Sequence, residues 1–446
     1  MKSPRIAPAE VHATLARHML ADGYDMVLDL DKSHGRRIHD SRSGREYLDL
    51  FSFFATLPIG FNHPKMKDAE FLAKLTRAAL VNPTNSDIYS TEFAEFIEVF
   101  GRVAMRSYLP HSFFVAGGAL GVENALKAAM DWKVRQNHRK GIMGEKGTQI
   151  LHFRDAFHGR TGYTVSMTNT ADPRKYQYFA KFDWPRVTPP YLNYPVTPAE
   201  RERVQKAEAN TLTQIRRAFA ERKDEIAAIL IEPIQAEGGD HHFRPEFMAA
   251  LKAIAHEHEA LLIFDEVQTG VGLTGTFWAH EGLGTQPDLV AFGKKMQVCG
   301  FLGGGKLEQE PENVFKVSSR INSTWGGNLV DMVRCQRYLE IIEEEKLVEN
   351  AATVGAHLLT QLEAMQREQP DVLSNARGRG LMCAIDLPDT ALRNAVADKA
   401  YDMGMVILGC GHHSLRFRPP LDITTAEIDE AMAILAKSIA ETRVSK

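Results

Sequence analysis

The chain has 446 residues, of which 44% are hydrophobic and 25% charged, and its formal net charge at pH 7 is −4. This length exceeds what one hydrophobic core usually covers, so two or more lobes are expected. The absence of a basic surplus argues against nucleic-acid or membrane-surface partners. No apolar run approaches the roughly 20 residues of a membrane span, and Met1–Glu10 lacks a secretion signal's apolar core. The four cysteines show no CxxC spacing, so we expect a cytoplasmic protein without a metal site.

The first part of the chain carries short alternating runs broken by Gly and Asp. Residues Arg37–Asp49 predict a β-hairpin with its turn at Ser41–Gly44. We therefore expect residues 1–69 to form an N-terminal segment built on a small antiparallel hairpin.

Strand-like and helical patterns alternate from residue 70 to residue 328. Apolar residues at helical spacing follow Gly121, and four short apolar runs have the length of buried strands: Gln149–Phe153, Ile226–Ile231, Leu261–Phe264 and Leu289–Phe292. Such alternation predicts an α/β domain with a mostly parallel sheet and helices on both faces.

The remaining residues, 329–446, follow a different pattern. A helical periodicity runs from Leu329 to Glu345, and two strand candidates follow at Leu381–Leu387 and Leu415–Phe417. An amphipathic helix then begins after Thr424. We predict a smaller C-terminal α+β domain over these residues.

Two predicted strands end in ionisable residues. The run Leu261–Phe264 continues into Asp265, and the run Leu289–Phe292 is followed by Gly293 and Lys294. Open α/β sheets bind ligands at the carboxyl edge of their strands. A lysine and a carboxylate at that edge suit pyridoxal phosphate, because lysine can form a Schiff base and aspartate can keep the ring nitrogen protonated. The alternative is that both are ordinary strand-end residues.

Two further segments follow predicted strands, which are the short run that begins at Phe113 and the run Gln149–Phe153, and both segments offer cofactor contacts. Gly117–Gly121 leads into a helix, so its amides can cradle a phosphate, although the turn alone also explains the glycines. Phe157 can stack on a cofactor ring, and Arg160 can reach a carboxylate. The alternatives are a core aromatic residue and a solvated surface charge.

Five motifs in collinear order over nearly the whole chain resemble the class III pyridoxal-phosphate aminotransferases of fold type I. They are Gly117-Gly-Ala119, Phe157-His-Gly-Arg160, Glu232-Pro-Ile-Gln-Ala-Glu-Gly-Gly239, Asp265-Glu-Val-Gln-Thr-Gly270 and Gly293-Lys294. Longer phrases are similar to the lysine ε-aminotransferases (L-lysine 6-aminotransferases) within that class: Asn82–Ser90, Phe182–Arg186, His242–Phe247, Lys294–Gly300, Asn322–Asn328 and Arg416–Pro420. Ala116 and Ala236 depart from the class pattern, which has an acidic residue and a glycine there.

The resemblance implies roles around the cofactor ring. Lys294 is the Schiff-base lysine, and Lys295 is its unreactive neighbour. Asp265 holds the pyridinium N–H, and Phe157 covers the ring face. Gln268 approaches the ring's phenolic oxygen and the substrate.

The resemblance also implies a homodimer with a shared active site. Gly118 and Ala119 bind the cofactor phosphate through their backbones, and Thr324 joins them from the neighbouring subunit. Arg160 and Arg416 bind substrate carboxylates, and Glu237 is the acid that neutralises Arg416. The alternative for Glu237 is a cap on the turn at its C-terminal side.

The implied activity transfers the ε-amino group of L-lysine to 2-oxoglutarate, giving L-2-aminoadipate 6-semialdehyde and L-glutamate. The alternative within the class is another ω-aminotransferase, with ornithine or 4-aminobutyrate as donor. An aminomutase or decarboxylase on the same fold would need no keto-acid acceptor. A scaffold without cofactor would not need both Asp265 and Lys294.

Overall fold

Four β-sheets organise residues 6–444, the part of the chain that this computed structural model describes. The strands are β1 (Arg37–His39), β2 (Glu46–Asp49), β3 (His111–Val115), β4 (Gln149–Phe153), β5 (Arg186–Val187), β6 (Ile226–Ile231), β7 (Ile234–Gln235), β8 (His241–His242), β9 (Leu261–Asp265), β10 (Leu289–Phe292), β11 (Cys299–Gly303), β12 (Ser374–Arg379), β13 (Met382–Asp386), β14 (Met405–Val406), β15 (Leu408–Cys410) and β16 (Ser414–Phe417). The helices are Val11–Ala16, Ser52–Ala55, Ala69–Val81, Thr91–Val103, Gly118–Arg139, Gly162–Met167, Pro198–Glu221, Ala236–Gly239, Pro245–Glu257, Leu329–Glu344, Leu347–Glu368, Thr390–Asp402 and Thr425–Val444. Within residues 6–444, none of these helices is long and apolar enough to cross a bilayer.

A seven-stranded sheet with the order β3-β11-β10-β9-β6-β4-β5 forms the centre of the molecule. The strands from β10 to β5 in this order pair in parallel, whereas β11 is antiparallel to both its neighbours. The strands β6, β9 and β10 are buried along their whole lengths, as expected for the central strands of a parallel sheet. The predicted α/β fold with a mostly parallel sheet is confirmed.

Alternate residues of β6 belong to two different hydrophobic cores. Ala228 and Leu230 pack with residues of the helix Gly118–Arg139. Ile229 and Ile231 pack with residues of the helix Pro245–Glu257. Successive side chains of a strand point to opposite faces, so helices cover both faces of the sheet.

The C-terminal part forms a four-stranded antiparallel sheet with the order β12-β13-β16-β15. Its strands β13 and β16 match the two predicted strand candidates. The predicted N-terminal hairpin is present as β1 and β2, but β2 also pairs in parallel with β14. The first 69 residues therefore share a sheet with the C-terminal region, and the three-domain division stays a proposal.

One edge of the central sheet gathers the ends of five strands. The parallel strands β4, β6, β9 and β10 all end there. The strand β3 ends there too, because β11 is antiparallel to both β10 and β3. Each of the five strands ends at or shortly before one residue of interest: Gly118 after β3, Phe157 after β4, Glu232 after β6, Asp265 in β9 and Lys294 after β10.

Candidate active site

A cavity of about 260 Å³ lies at this edge of the sheet. Its lining contains six of the residues that the sequence singles out: Gly118, Ala119, Phe157, Asp265, Gln268 and Lys294. Motifs that are far apart in the sequence thus converge on one cavity.

The two adjacent lysines after β10 lie in different surroundings. Lys294 lines the cavity, and its backbone φ of 49° is in the left-handed region that a side chain seldom adopts. Burial and the charge of Arg416 lower the pKa of Lys294 to about 8. Lys295 is 2% exposed, and its Nζ donates to the carbonyl oxygens of Gln268 (3.0 Å) and Ala55 (3.4 Å). Only Lys294 presents its amine to the cavity.

Asp265 is held in place by a histidine. Its Oδ1 accepts a hydrogen bond from the amide of Val267 at 3.0 Å, and its Oδ2 lies 2.8 Å from Nδ1 of His158. With the carboxylate ionised, Nδ1–H of His158 donates to it. This contact fixes the orientation of a carboxylate that is only 4% exposed. Sequence motifs alone assign His158 no role, although it lies directly after Phe157.

Glu232 joins two of the site's segments. Its Oε1 accepts from the amide of Phe157 at 2.9 Å, and its Oε2 accepts from the amide of Ala236 at 3.0 Å. Burial is the main cause that raises the pKa of Glu232 to about 7. Ala236 is one of the two departures from the class pattern, and its backbone amide makes the second of these hydrogen bonds. Glu232 thereby positions the Phe157 segment against the turn that carries Glu237.

The N-terminus of the helix Gly118–Arg139 opens on the cavity. Gly117 precedes it with a φ of 110°, and no side chain within residues 6–444 caps its first amides. A Cβ at Gly118 would lie 2.9 Å from Cγ1 of Val267, so only glycine fits there without a shift. Uncapped amides at a helix N-terminus are the donors that phosphate groups bind.

Glu237 forms ion pairs with two cations beside this cavity. Nη1 of Arg416, in β16, donates to its Oε2 at 2.7 Å. Its Oε1 pairs with Nζ of Lys175, a residue that the sequence motifs do not reveal. Burial acts to raise the pKa of Glu237, but the charges of Arg416 and Lys175 outweigh it and the pKa is lowered. The carboxylate is therefore charged and directed at these two cations.

Gln268 is connected to the end of the short helix Ala236–Gly239, which carries Glu237, through a buried arginine. Nε of Arg418 donates to Oε1 of Gln268 at 3.1 Å, and the guanidinium also pairs with Asp240. Asp240 directly follows the helix Ala236–Gly239 and has a φ of 51°. Arg418 is 2% exposed and follows Arg416 by two positions, on the same C-terminal segment. Its place in the Arg416–Pro420 phrase is the only sequence signal for this role.

Four of the predicted site residues lie outside the cavity lining: the paired Glu237 and Arg416, and also Arg160 and Thr324. Arg160 is exposed and follows Gly159, which does line the cavity. Thr324 is exposed in a loop whose carbonyl at position 324 accepts from Oγ of Ser86 at 2.9 Å. The role predicted for Thr324 belongs to a neighbouring subunit's site, which a single chain does not contain. Both roles stay predictions.

Comparison with known proteins identifies the class to which this fold and site belong. The profile of the family described as aminotransferase class-III matches residues 19–439, and the chain belongs to this family of pyridoxal-phosphate-dependent enzymes. The L-lysine-epsilon aminotransferase of Mycobacterium tuberculosis (strain H37Rv) is 51% identical over 434 residues, which cover 97% of this chain and 96% of the relative. That of Streptomyces clavuligerus is 51% identical over 436 residues, 96% of this chain and 94% of the relative. The solved structure of lysine aminotransferase from M. tuberculosis in the internal aldimine form has a TM-score of 0.96 and 50% identity, covering 98% of this chain and all of that one (100%).

The residues around the cavity fit pyridoxal 5′-phosphate, the cofactor of this family. The uncapped helix N-terminus at Gly118 offers amide donors for a phosphate. Asp265 offers a buried carboxylate for a protonated ring nitrogen, and Lys294 offers an amine with a lowered pKa. The chain is therefore a pyridoxal-phosphate-dependent aminotransferase, and the resemblance read from the motifs is confirmed.

Proposed function

We propose that the enzyme transfers the ε-amino group of L-lysine to 2-oxoglutarate, giving L-2-aminoadipate 6-semialdehyde and L-glutamate. The observation that carries the proposal is the ion pair between Glu237 and Arg416 next to Lys294. The 51% identity to lysine-epsilon aminotransferases over nearly the whole chain supports lysine as the donor.

The ion pair suits two substrates with different shapes. Lysine reacts through its ε-amine and carries its only carboxylate at the far end, whereas 2-oxoglutarate has a second carboxylate beside the reacting carbon. Arg416 is needed for that near carboxylate and faces an aliphatic chain when lysine is bound. An unpaired buried cation costs several kcal/mol, on the order of 3–5. Glu237 removes this cost by pairing with Arg416 in the lysine half-reaction and moving away in the other.

The far carboxylate is common to both substrates. We assign it to Arg160, which follows the cavity-lining Gly159 and is exposed in the single chain. A partner subunit that covers this exposed side would turn Arg160 into a wall of the substrate site. Arg160→Ala is therefore expected to impair both half-reactions.

The chain's own groups hold and use the cofactor, which supplies an electron sink when bound. Lys294 provides the covalent attachment and, once free, the base that moves a proton at the substrate carbon. Its pKa of about 8 leaves part of the amine neutral near pH 7. Asp265, oriented by His158, keeps the ring nitrogen protonated. The reacting carbon of lysine bears no carboxylate, so activity depends strongly on Asp265.

The remaining cofactor contacts follow from the cavity lining. The amides of Gly118 and Ala119 would bind the phosphate, and Phe157 would cover the ring. Gln268, whose Oε1 is held by Arg418, would donate through its side-chain amide to the phenolic oxygen of the ring.

The active form is proposed to be a cytoplasmic homodimer with shared sites. Large apolar side chains stand exposed at the end of the helix Ala69–Val81, in the segment that follows it and beside Thr324: Leu80, Val81, Ile88, Tyr89 and Trp325. An exposed apolar patch of this kind is typical of a protein interface. Burying it against a second copy allows the partner subunit's Thr324 to complete the phosphate contacts.

A panel of amine donors with 2-oxoglutarate as acceptor tests the proposed reaction. Lysine is expected to be consumed with formation of glutamate and the six-carbon semialdehyde, identified by mass spectrometry. A preference for ornithine or 4-aminobutyrate would contradict the proposal in favour of another ω-aminotransferase. Turnover of lysine without a keto acid would instead indicate an aminomutase or a decarboxylase.

Single-turnover spectra of each half-reaction test the role of the ion pair. Glu237→Ala is expected to slow the half-reaction with lysine much more than that with 2-oxoglutarate, and to widen tolerance for donors such as glutamate. Arg416→Ala is expected to slow the half-reaction with 2-oxoglutarate much more than that with lysine, because it removes only the contact to the near carboxylate of the keto acid. Equal losses in both halves for Glu237→Ala would contradict the switch.

A further inference from the structure

Lys175 is a second cation on the carboxylate of Glu237, and the proposed mechanism does not use it. It ends the short 3-10 helix Pro173–Lys175 and lines a separate cavity of about 460 Å³. Glu237 lies on the same cavity wall. Through Glu237, Lys175 is connected to the active site without lining it.

The two ion pairs of Glu237 use different oxygens. Oε2 binds Arg416, whose side chain is 4% exposed, and Oε1 binds Lys175, whose side chain is 22% exposed. One pair can therefore break while the other persists. Lys175 and Glu237 line the larger cavity and Arg416 does not, so a carboxylate that leaves Arg416 can stay with Lys175 on that side.

We infer that Lys175 is a positioning residue that keeps Glu237 in its displaced position while 2-oxoglutarate occupies Arg416. The inference rests on the proposed function and extends it from a pair to a triad. Glu237 remains largely buried, with 20% of its side chain exposed, so its charge needs a partner after it leaves Arg416.

Two effects of Lys175 act in the same direction. It lowers the cost of the displaced Glu237 by supplying a counter-ion. In the resting state Lys175 also partly neutralises the carboxylate of Glu237, so the attraction between Glu237 and Arg416 is weaker. Both effects favour the state in which Arg416 is free for the keto acid, so Lys175 sets the balance between the two substrates.

The neighbouring charges do not replace Lys175. Arg174, on the same short helix, is paired with Asp172 and is 82% exposed in its side chain. Arg393 lines the same cavity, but its Nη1 donates to the backbone carbonyls of Cys410 and Ser414, both at 3.4 Å. Among the described residues, Lys175 and Arg416 are the two side chains that hydrogen-bond to the carboxylate of Glu237.

The test compares Lys175→Met with Lys175→Arg in the holoenzyme, and Arg174→Met serves as the matched control on the same helix. Two quantities are measured. One is the rate of the lysine half-reaction, and the other is the dissociation constant of 2-oxoglutarate from the enzyme that has already taken up an amino group. We expect Lys175→Met to weaken 2-oxoglutarate binding about tenfold, as for loss of a partly buried ion pair, and to leave the lysine half-reaction nearly unchanged. Lys175→Arg retains the cation and is expected to restore binding.

A second background separates positioning from a structural role. In Glu237→Gln the side chain is neutral and needs no counter-ion, so adding Lys175→Met is expected to have little further effect. Full additivity of the two substitutions, or equal loss in both half-reactions, would overturn the inference. Wild-type enzyme that fails to accept lysine would instead contradict the proposed function. Wild-type enzyme that accepts lysine, together with normal 2-oxoglutarate binding by Lys175→Met, would contradict the inference alone.

Discussion

Lys294 and Lys295 show how one residue step changes the chemistry of a side chain. Lys295 is buried and Lys294 is half-buried, and burial lowers the pKa of each. The amine of Lys295 donates to two backbone carbonyls, whereas Lys294 faces the cavity in a left-handed backbone conformation. A non-glycine residue in this conformation costs about 1–3 kcal/mol, and such residues cluster at active sites.

The first prediction compares Lys294→Ala with Lys295→Met. Lys294→Ala is expected to lose covalent cofactor attachment and to lower turnover by about 10³-fold or more. Lys295→Met keeps the apolar stem and loses two hydrogen bonds, so it is expected to keep attachment at a cost of about 1–3 kcal/mol in unfolding free energy. Visible absorbance and thermal melting check both outcomes. Retained covalent cofactor in Lys294→Ala would reverse the assignment.

The second prediction concerns the pH dependence of cofactor uptake by the apo-protein. Only the neutral amine reacts with the aldehyde of the cofactor, and the pKa of Lys294 is lowered from 10.5 to about 8. The rate of covalent attachment is therefore expected to rise with pH and to level off above about pH 8. Stopped-flow absorbance over a pH series measures this. A rate that rises without a plateau up to pH 10 would contradict a perturbed Lys294.

The sequence predicted the roles of residues whose own side chain carries the chemistry and that stand in a recognisable motif. The cavity contains Asp265 and Lys294 because each ends or follows a predicted strand. The supporting residues His158, Arg418 and Lys175 could not be found this way. Their roles depend on contacts between segments far apart in the chain, such as Lys175 with Glu237, which no local pattern encodes.

At the level of secondary structure, strands buried on both faces were the most predictable. The bounds of β4, β6 and β10 agree with the apolar runs in the sequence. The strand β11 has glycine at 300 and 303, and a Cβ at Gly300 would lie 1.9 Å from the carbonyl oxygen of Phe113. Close approach to β3 therefore removes the side chains that would have marked β11 as a strand. The strands β14 and β15 are two and three residues long and are defined by their partners rather than by a pattern.

The short helix Ala236–Gly239 connects the two parts of the site. Its Glu237 pairs with Arg416, and the following Asp240 pairs with Arg418, which in turn binds Gln268. Both arginines belong to one C-terminal segment, at β16 and just after it. This short helix and the C-terminal segment therefore position the groups that are proposed to contact the substrate and the cofactor.

The third prediction tests this connection with Arg418→Lys. Lysine keeps a positive charge for Asp240 but lacks the planar fork that donates to Asp240 and Gln268 together. We expect a folded enzyme with bound cofactor, a shifted visible absorbance and turnover lowered about tenfold. Absorbance spectra and steady-state kinetics at matched cofactor occupancy measure this. An unchanged spectrum and turnover would show that Gln268 does not depend on Arg418.

At the level of the whole molecule, one chain forms the base of the site, but two predicted contributors lie exposed at its surface. Arg160 and Thr324 are both exposed, and the loops near Thr324 carry exposed apolar side chains such as Ile88 and Trp325. The sequence phrase Asn322–Asn328 marks this loop, but its partner cannot be read from a single chain's contacts. A second copy of the chain would explain both the exposed apolar residues and the position of Thr324 outside the cavity of its own chain.

The last prediction is complementation between two inactive subunits. In Thr324→Asp, a carboxylate faces the phosphate and repels it, so that variant is expected to be inactive, as is Lys294→Ala. If Thr324 acts on the partner's phosphate, a heterodimer of the two has one doubly defective site and one intact site. Random mixing of equal amounts makes half the dimers mixed, so about a quarter of wild-type activity is expected.

A matched control uses two lesions that belong to the same chain's cavity. Lys294→Ala mixed with Asp265→Asn leaves one defect in each site of the heterodimer, so no recovery is expected. Subunit exchange is confirmed by mass spectrometry of isotopically labelled chains. Absence of recovery with Thr324→Asp, despite confirmed exchange, would show that Thr324 does not contribute across the interface, and the phosphate would then be held by the amides at Gly118 and Ala119 of its own chain.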